Sequence, residues 1–446
     1  MRLVPADLSG LLRSGLWRSV ASLGIKVATA GLTYITYVVL SRTQTADEYG
    51  HFAFGLALAT VLAILAGVGQ PTAILRLWSQ ETVAGRPGQA RAAAAAGETI
   101  TLMAGIGVSA LLCLVTFFIG LTPHPFDTLN HFYGAAFLIL PMALAEYQSS
   151  ALRAQGSLWT ALVPRDVLWR LALPVAVIAL YAIGVVLSGP DALFLSAVLL
   201  ALMLALQFWQ AERTGRTLTP RPAAVSGYWN RWRGISLWLL LGALVETITL
   251  NADVIIVGLM LNLESSGLYF NAFRTAGLMT LFTFAIELVI APLVARHFHA
   301  GEMRQAQAIV ALCAWAGFAF SLAVFAIFVV WGDFVMGLFG AAYTDGGTLV
   351  LILLAFGLLF DAATGPSKIA MMMTGHERAY VTIFGAIMLA GLLAQLVVIP
   401  TWGVVGAAVV NMGSRMLAQL AIAVWCRRRI RLDTSLVGVL AIPGKA

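Results

Sequence analysis

The sequence predicts an all-α polytopic membrane protein with about twelve transmembrane helices, and both its composition and its apolar runs indicate this class. Of its 446 residues, 60% are hydrophobic and 11% are charged, whereas an average soluble domain has about 25% charged residues. Apolar runs of about 20 residues, the length that crosses a bilayer, recur along the whole chain. Since no segment between them reaches the length of an ordinary soluble domain, about 50 residues, we expect one membrane domain.

Hydropathy predicts the twelve spans in chain order. Their approximate bounds are 18–40, 51–73, 98–121, 131–151, 167–188, 192–211, 235–260, 269–292, 307–331, 348–370, 380–400 and 404–426. The first run follows basic residues, as the apolar part of a signal peptide does, but it is too long for that part. We therefore interpret it as a retained first span.

The basic residues predict the orientation, because Lys and Arg accumulate in short loops on the cytoplasmic side. With a cytoplasmic N-terminus, the outer loops hold one basic residue, Arg42. The basic residues within spans are Lys26, Arg274, Lys368 and Arg415. All others then lie on the inner side, and both termini are cytoplasmic. This topology explains the net charge of +7, so the charge indicates no nucleic-acid partner.

The two halves of the chain resemble each other at a nearly constant offset. Gly50 corresponds to Gly267, and Gly156 to Gly375. We expect an N-terminal six-helix lobe at 1–212, a cytoplasmic linker at 213–234 and a C-terminal six-helix lobe at 235–446 with a basic cytoplasmic tail. An even number of spans in each half gives both halves the same orientation, related by a parallel pseudo-two-fold axis. Paired bundles of this kind are typical of transporters that work by alternating access.

Motifs for enzymatic or cofactor chemistry are missing from the sequence. The segment "TGPSK" lacks the spacing of a phosphate-binding loop. The three cysteines lack metal-ligand spacing, and "HFH" at 297–299 has no third ligand nearby in the sequence. We therefore expect a transporter with no cofactor, no bound metal and no catalytic residue.

Ionisable side chains within spans are the strongest functional signal, because each costs about 2.5–3.5 kcal/mol at the centre of a span. Lys26 shares a helix face with Thr29 and Thr33, which predicts a polar stripe on span 1. Such residues tend to face a cavity or a partner. The alternative is that they join helices to one another, an interpretation that Glu287 and Glu146 favour because they lie near the inner ends of their spans.

Three later spans carry similar groups. Span 7 places Glu246 and Asp253 on one face, and span 12 places Arg415 among polar residues. In span 10, Asp361 and Lys368 share a face but are about 10 Å apart along the axis, too far for a direct pair. Pro366 lies between them and predicts a bend, so it is a candidate hinge.

Four segments resemble a known family. The segments are "ADEYGHFAFGLAL", "NADVIIVGLMLNLESSGLYFNAFRTAGL", "LFGAAYTDGGTLV" and "IPTWGVVGAAVVN". They resemble the polysaccharide-transporter branch of the multidrug/oligosaccharidyl-lipid/polysaccharide exporter (MOP) superfamily. The resemblance covers nearly the whole chain. It implies a flippase of the bacterial inner membrane that carries an undecaprenyl-diphosphate-linked oligosaccharide, for O-antigen or exopolysaccharide synthesis. Membrane lipids and a polysaccharide polymerase or glycosyltransferases are the partners it suggests.

In such flippases, cations in a central cavity meet the diphosphate. Lys26 and Arg274 match those positions, and the pattern of helix faces adds Lys368 and Arg415. Arg42, in an outer loop, is a further candidate substrate-binding cation. The candidates for ion coupling are Asp253, Glu246, Asp361 and Glu287, all acids within or beside spans.

Three other functions remain as alternatives. A multidrug or cation antiporter of the same superfamily would use Glu246 and Asp253 to exchange protons or sodium for cationic cargo. A lipid II flippase would have the same architecture. A membrane enzyme such as an oligosaccharide polymerase is disfavoured because the predicted outer loops are short.

Overall fold

The computed structural model describes residues 6–124, 126–216 and 218–439, without the side chains of 6–23, 26, 288 and 289. The described chain is helical and contains no strand. The helices in its first half are α1 (Ala6–Thr43), α2 (Ala46–Ala66), α3 (Gln70–Val83), α4 (Pro87–Gly120), α5 (Asn130–Ala154), α6 (Leu158–Leu162), α7 (Trp169–Ala182) and α8 (Gly189–Arg213). A π-helical turn, Val163–Leu168, joins α6 to α7.

The second half continues in the same way. Its helices are α9 (Val225–Met260), α10 (Leu263–Ala276), α11 (Thr280–His299), α12 (Met303–Gly337), α13 (Gly347–Thr364), α14 (Ser367–Met373) and α15 (Glu377–Trp425). Short 3-10 turns are Pro222–Ala224, Gly277–Met279, Ala341–Tyr343 and Leu436–Val439, and a second π-helical turn is Cys426–Ile430.

The chain forms two compact units, Met1–Asn251 (unit 1) and Ala252–Ala446 (unit 2). The helix α9 begins in unit 1 and ends in unit 2. The lobes and linker predicted from the sequence stay predictions.

Many of these helices can cross a membrane. Within the described residues, eight are long and apolar enough to do so, or up to nine if the bent pair Leu263–Glu287 and Ile290–His299 is one span. The chain is therefore a multi-pass membrane protein, as predicted. The number twelve and the cytoplasmic position of both termini stay predictions.

In unit 1, α4 and α5 approach closely where α4 has a glycine. A Cβ atom at Gly97 would overlap the hydroxyl of Tyr147. The same hydroxyl donates a hydrogen bond of 2.7 Å to the carbonyl oxygen of Ala94. Tyr147 and the neighbouring Leu77 and Leu152 belong to an apolar core that is almost fully buried. This contact brings the polar residues next to Gly97 and Tyr147 into the interior.

The same turn ends a helix in each unit. Gly156 follows α5 and Gly375 follows α14, and both have a φ of +80°, a left-handed conformation that favours glycine. The next amide donates to a carbonyl five residues back in both turns, from Ser157 to Leu152 at 2.9 Å and from His376 to Met371 at 2.8 Å. These two glycines are one of the pairs on which the predicted repeat depends.

Candidate functional site

The candidate site in unit 2 is built around the carboxylate of Asp253 on α9, which is 3% exposed. Tyr269 Oη and Gln395 Nε2 each donate to it at 2.8 Å, and Asn411 Nδ2 donates as well. These donors come from α10 and from two parts of α15. We call Asp253, Tyr269, Gln395 and Asn411 the Asp253 cluster. An ionised carboxylate has about four acceptor sites, so it can accept from all three donors.

An ion pair lies beside the Asp253 cluster. Arg415, one helical turn after Asn411, is 9% exposed, and its Nη1 lies 3.6 Å from Oδ2 of Asp361 on α13. Arg415 also interacts electrostatically with Asp253, and Lys368 with Asp361. Two acids and two cations thus share one region of unit 2. Arg415 could bind an anionic ligand in place of the Asp361 carboxylate if that carboxylate moved away.

The break between α13 and α14 positions Asp361 and Lys368. Gly365 has a φ of +69° and a ψ of −166°, and Pro366 follows it. The helix therefore breaks where Pro366 predicted a bend. Whether the break works as a hinge stays a prediction.

The C-terminal segment, residues 431–439, folds back against this break. Its Thr434 forms a hydroxyl–hydroxyl hydrogen bond of 2.6 Å with Ser367 at the start of α14. Gln307 on α12 donates to the Asp433 carbonyl oxygen at 2.7 Å and accepts from the Asp433 amide at 2.9 Å. A Cβ atom at Gly365 would overlap the carbonyl oxygen of Thr434. The segment therefore contacts the chain on both sides of the break, at Gly365 and at Ser367.

The other predicted site residues belong to α1, α9, α10 and α11. The Arg274 guanidinium on α10 stacks over Phe270, 4.9 Å from the ring centroid. Glu287 on α11 is half-buried, whereas Arg42 and Glu246 are exposed residues of unit 1. The side chain of Lys26 lies outside the part of the chain that the structure describes, so its binding role stays a prediction.

The polar stripe of α1 packs against another helix at its hydroxyl positions. Thr29 donates to the carbonyl oxygen of Asp166 at 3.1 Å, and Thr36 donates to that of Arg170 at 3.3 Å. Arg170 Nη1 in turn donates to Thr33 Oγ1 at 2.5 Å. At these positions the stripe is a contact with the π-helical turn and α7. Thr29 and Thr33 are half-buried, and the cavity-facing role of this stripe stays a prediction.

Several buried or half-buried polar residues of the structure had no role in the prediction from the sequence. Arg165 and Arg170 were expected on the inner side, and Tyr269 and Gln395 were assigned no role. Arg165 forms an ion pair with Glu146, which is the helix-joining role that the alternative interpretation assigned to that glutamate. In the sequence, Gln395 could have been noticed only as a single amide side chain within a long apolar run.

The family comparison agrees with the resemblance seen in the sequence. The family described as polysaccharide biosynthesis protein matches residues 16–298, more than half of the chain. No curated protein matches the sequence at a significant level.

Solved structures with the same fold are transporters. A multidrug resistance MATE family transporter of the MOP superfamily, in an inward-facing conformation, matches with a TM-score of 0.73 and 16% identity over 90% of this chain and 94% of that one. A MOP superfamily transporter from Pyrococcus furiosus matches with a TM-score of 0.60 and 15% identity over 93% and 94%. The eukaryotic MATE transporter AtDTX14 matches with a TM-score of 0.60 and 15% identity over 92% and 95%.

Proposed function

Because the chain belongs to the polysaccharide biosynthesis family of the MOP superfamily of transporters, we propose that it flips a lipid-linked oligosaccharide. The cargo is an undecaprenyl-diphosphate-linked repeat unit, and the membrane is the bacterial inner membrane. The family match over residues 16–298 carries this proposal. Transport proceeds by alternating access and involves no covalent chemistry on the cargo.

The cargo's chemistry explains why cations are needed within a membrane helix. A diphosphate is anionic and is very costly to move into hydrocarbon without compensating charge. Charge-assisted hydrogen bonds from Arg to phosphate oxygens supply such compensation. Arg415 lies 3.6 Å from Asp361, so a diphosphate oxygen can replace that carboxylate as its counter-ion. Lys368, which also interacts with Asp361, would add a second cation.

The acids are the candidates for coupling transport to an ion gradient. Asp253, Glu246, Asp361 and Glu287 would each act by gaining and losing a proton or a sodium ion as access changes. The Asp253 carboxylate accepts from Tyr269, Gln395 and Asn411 within one buried site. We therefore place coupling at the Asp253 cluster.

A multidrug or cation antiporter is the second candidate function. The observation in its favour is the fold shared with MATE transporters, at TM-scores of 0.60 to 0.73 in the two MATE matches described above. In that function the carboxylates would exchange ions for cationic cargo. A lipid II flippase, with a different sugar and peptide head on the same lipid diphosphate, is a third outcome of the test.

The test compares cargoes in liposomes that contain the purified protein. One set holds an undecaprenyl-diphosphate-linked oligosaccharide, a second holds lipid II and a third is loaded with a cationic dye under a proton or sodium gradient. We expect protein-dependent transfer of the oligosaccharide head to the opposite leaflet and no gradient-driven movement of the dye. Movement of the dye alone would contradict the proposal and establish the antiporter.

Variants at the predicted cations extend this test. Lys26→Ala and Arg274→Ala should each slow head transfer if these residues meet the diphosphate. Arg213→Gln is the matched control, because this arginine is the last residue of α8 and stacks over Trp209 at 4.0 Å. Transfer at the wild-type rate in both alanine variants would show that these two cations have structural roles.

A further inference from the structure

A second buried acid lies in unit 1, outside the sites predicted from the sequence. Glu98 on α4 is 3% exposed and Gln148 on α5 is 5% exposed. Both helices are candidate membrane spans. Gln148 Nε2 donates to Glu98 Oε1 at 2.7 Å. The close approach of α4 and α5 at Gly97 and Tyr147 brings these two side chains together.

Each of these two side chains keeps one buried acceptor without a donor. Glu98 Oε2 and Gln148 Oε1 are both buried, and within the described residues neither has a hydrogen-bond partner. An ionised carboxylate in this position would be a buried charge with a single donor. Burying a charge is very costly unless it is paired and hydrogen-bonded.

Among the side chains that the structure describes, the charged and titratable groups near Glu98 do not supply that pairing. Tyr147 donates its proton to the Ala94 carbonyl oxygen, and Tyr228 donates to Gln70 Oε1 at 2.7 Å. On α3, the carboxylate of Glu81 forms ion pairs with Arg86 at 2.7 Å and with Arg231 at 3.5 Å. Among the described ion pairs, none involves Glu98.

We propose that Glu98 is a proton-binding site, and that its neutral carboxyl forms a paired hydrogen bond with Gln148. The proton resides on Glu98 Oε2 and donates to Gln148 Oε1, while Gln148 Nε2 donates to Glu98 Oε1. One proton thereby satisfies both of the acceptors that lack donors. The ligand of this site is a proton, and the site is separate from the Asp253 cluster of unit 2.

The connecting segment, residues 218–224, covers the region next to this site. The amide of Arg221 donates to Thr99 Oγ1 at 2.8 Å, on the residue that follows Glu98. Leu218 is 2% exposed and belongs to the apolar core of unit 1. Exchange of the proton with water from this side therefore requires the segment to leave α4, and exchange should be slow while it is docked.

Infrared spectroscopy of the purified protein at pH 7, in a detergent that has no carbonyl group, tests the proposal. A protonated carboxyl has a C=O stretching band that a carboxylate lacks. We expect the wild type to show this band and Glu98→Gln to lose the intensity of one carboxyl group. Glu212→Gln, an exposed acid at the end of α8, is the matched control and should leave the band unchanged.

Two results would overturn the proposal that Glu98 is protonated. An unchanged band in Glu98→Gln would overturn the proposal, because it would mean that Glu98 is ionised. Failure of Glu98→Gln to fold would also overturn it, since a glutamine amide reproduces both hydrogen bonds of the neutral pair. The measurement uses no cargo, so it stands whether or not the protein flips a lipid-linked oligosaccharide.

Discussion

Two buried acids, one in each unit, have opposite hydrogen-bond surroundings. Asp253 in unit 2 accepts from Tyr269, Gln395 and Asn411, and it interacts with the guanidinium of Arg415. Glu98 in unit 1 accepts from Gln148 alone among the described residues. Both are 3% exposed, so burial does not distinguish them. The difference lies in the number of donors and in the presence of a cation.

This difference indicates different functions for the two acids. A carboxylate with three donors and a nearby cation can stay charged within apolar helices, because its lone pairs are used. A carboxyl with one amide neighbour is stable when its own proton supplies the second hydrogen bond. Unit 2 can therefore bind ions by exchanging charged partners, whereas unit 1 holds a proton. The next four predictions test that comparison.

The largest expected effect comes from removing each acid. Asp253→Leu leaves three buried donors without an acceptor, and each costs about 1–3 kcal/mol, so we expect the free energy of unfolding to fall by about 3–9 kcal/mol. Glu98→Leu leaves one donor and one acceptor of Gln148 without partners, so we expect a smaller loss of about 2–6 kcal/mol. Denaturant titrations of both variants in the same detergent measure the difference. Equal losses would contradict the comparison.

The second largest effect is expected at the break between α13 and α14, which positions Asp361 near Arg415. Gly365→Ala forces a Cβ atom into the Thr434 carbonyl oxygen at a residue with φ +69°, and we expect a loss of about 2–5 kcal/mol from overlap and strain. Gly375→Ala is the control. Its φ is +80°, and the added Cβ atom would have no neighbour within 4 Å, so backbone strain alone applies and costs about 1–2 kcal/mol. The difference between the two midpoints of thermal unfolding measures the overlap. Similar midpoints would mean that the C-terminal segment does not hold the break.

A smaller effect isolates the hydrogen bond at that break. Thr434→Val removes the hydroxyl that bonds to Ser367 at 2.6 Å and should cost about 1–2 kcal/mol, since both groups are buried. Thr382→Val is the control, because that exposed hydroxyl bonds to the carbonyl of its own helix at 2.9 Å. Denaturant titrations of the two variants should therefore differ. If they coincide, the bond to Ser367 contributes no stability.

The smallest effect is expected for Glu98→Gln. The amide preserves both hydrogen bonds of the neutral pair, so the free energy of unfolding at pH 7 should change by less than about 1 kcal/mol. Titration with denaturant at pH 6 and at pH 8 measures it. A loss of several kcal/mol at either pH would show that Glu98 is held as a carboxylate.

Much of the helical framework could be predicted from hydropathy. The predicted spans 131–151 and 192–211 lie within α5 and α8, whose bounds are Asn130–Ala154 and Gly189–Arg213. The predicted boundary between 380–400 and 404–426 falls where Gly403 leaves the helical conformation inside α15. Such agreement is expected because an apolar run of bilayer length has few alternatives to a helix.

The partners of the buried polar groups could not be predicted from one sequence. Gln395 meets Asp253 across 142 residues of chain, and Gln148 meets Glu98 across 50. Hydropathy and helical periodicity give the face of a residue, but they do not say which helix packs on that face. The same limit explains why the polar stripe of α1 did not reveal its contacts with the π-helical turn and α7.

The head-transfer rate of an Arg415 variant tests the proposed transport most directly. In liposomes with the undecaprenyl-diphosphate-linked oligosaccharide, we expect Arg415→Gln to slow transfer by about tenfold or more, because losing one charge-assisted hydrogen bond costs at least about 1.4 kcal/mol. Arg213→Gln should transfer at the wild-type rate. Transfer by folded Arg415→Gln at the wild-type rate would contradict the proposal that this buried arginine meets the diphosphate.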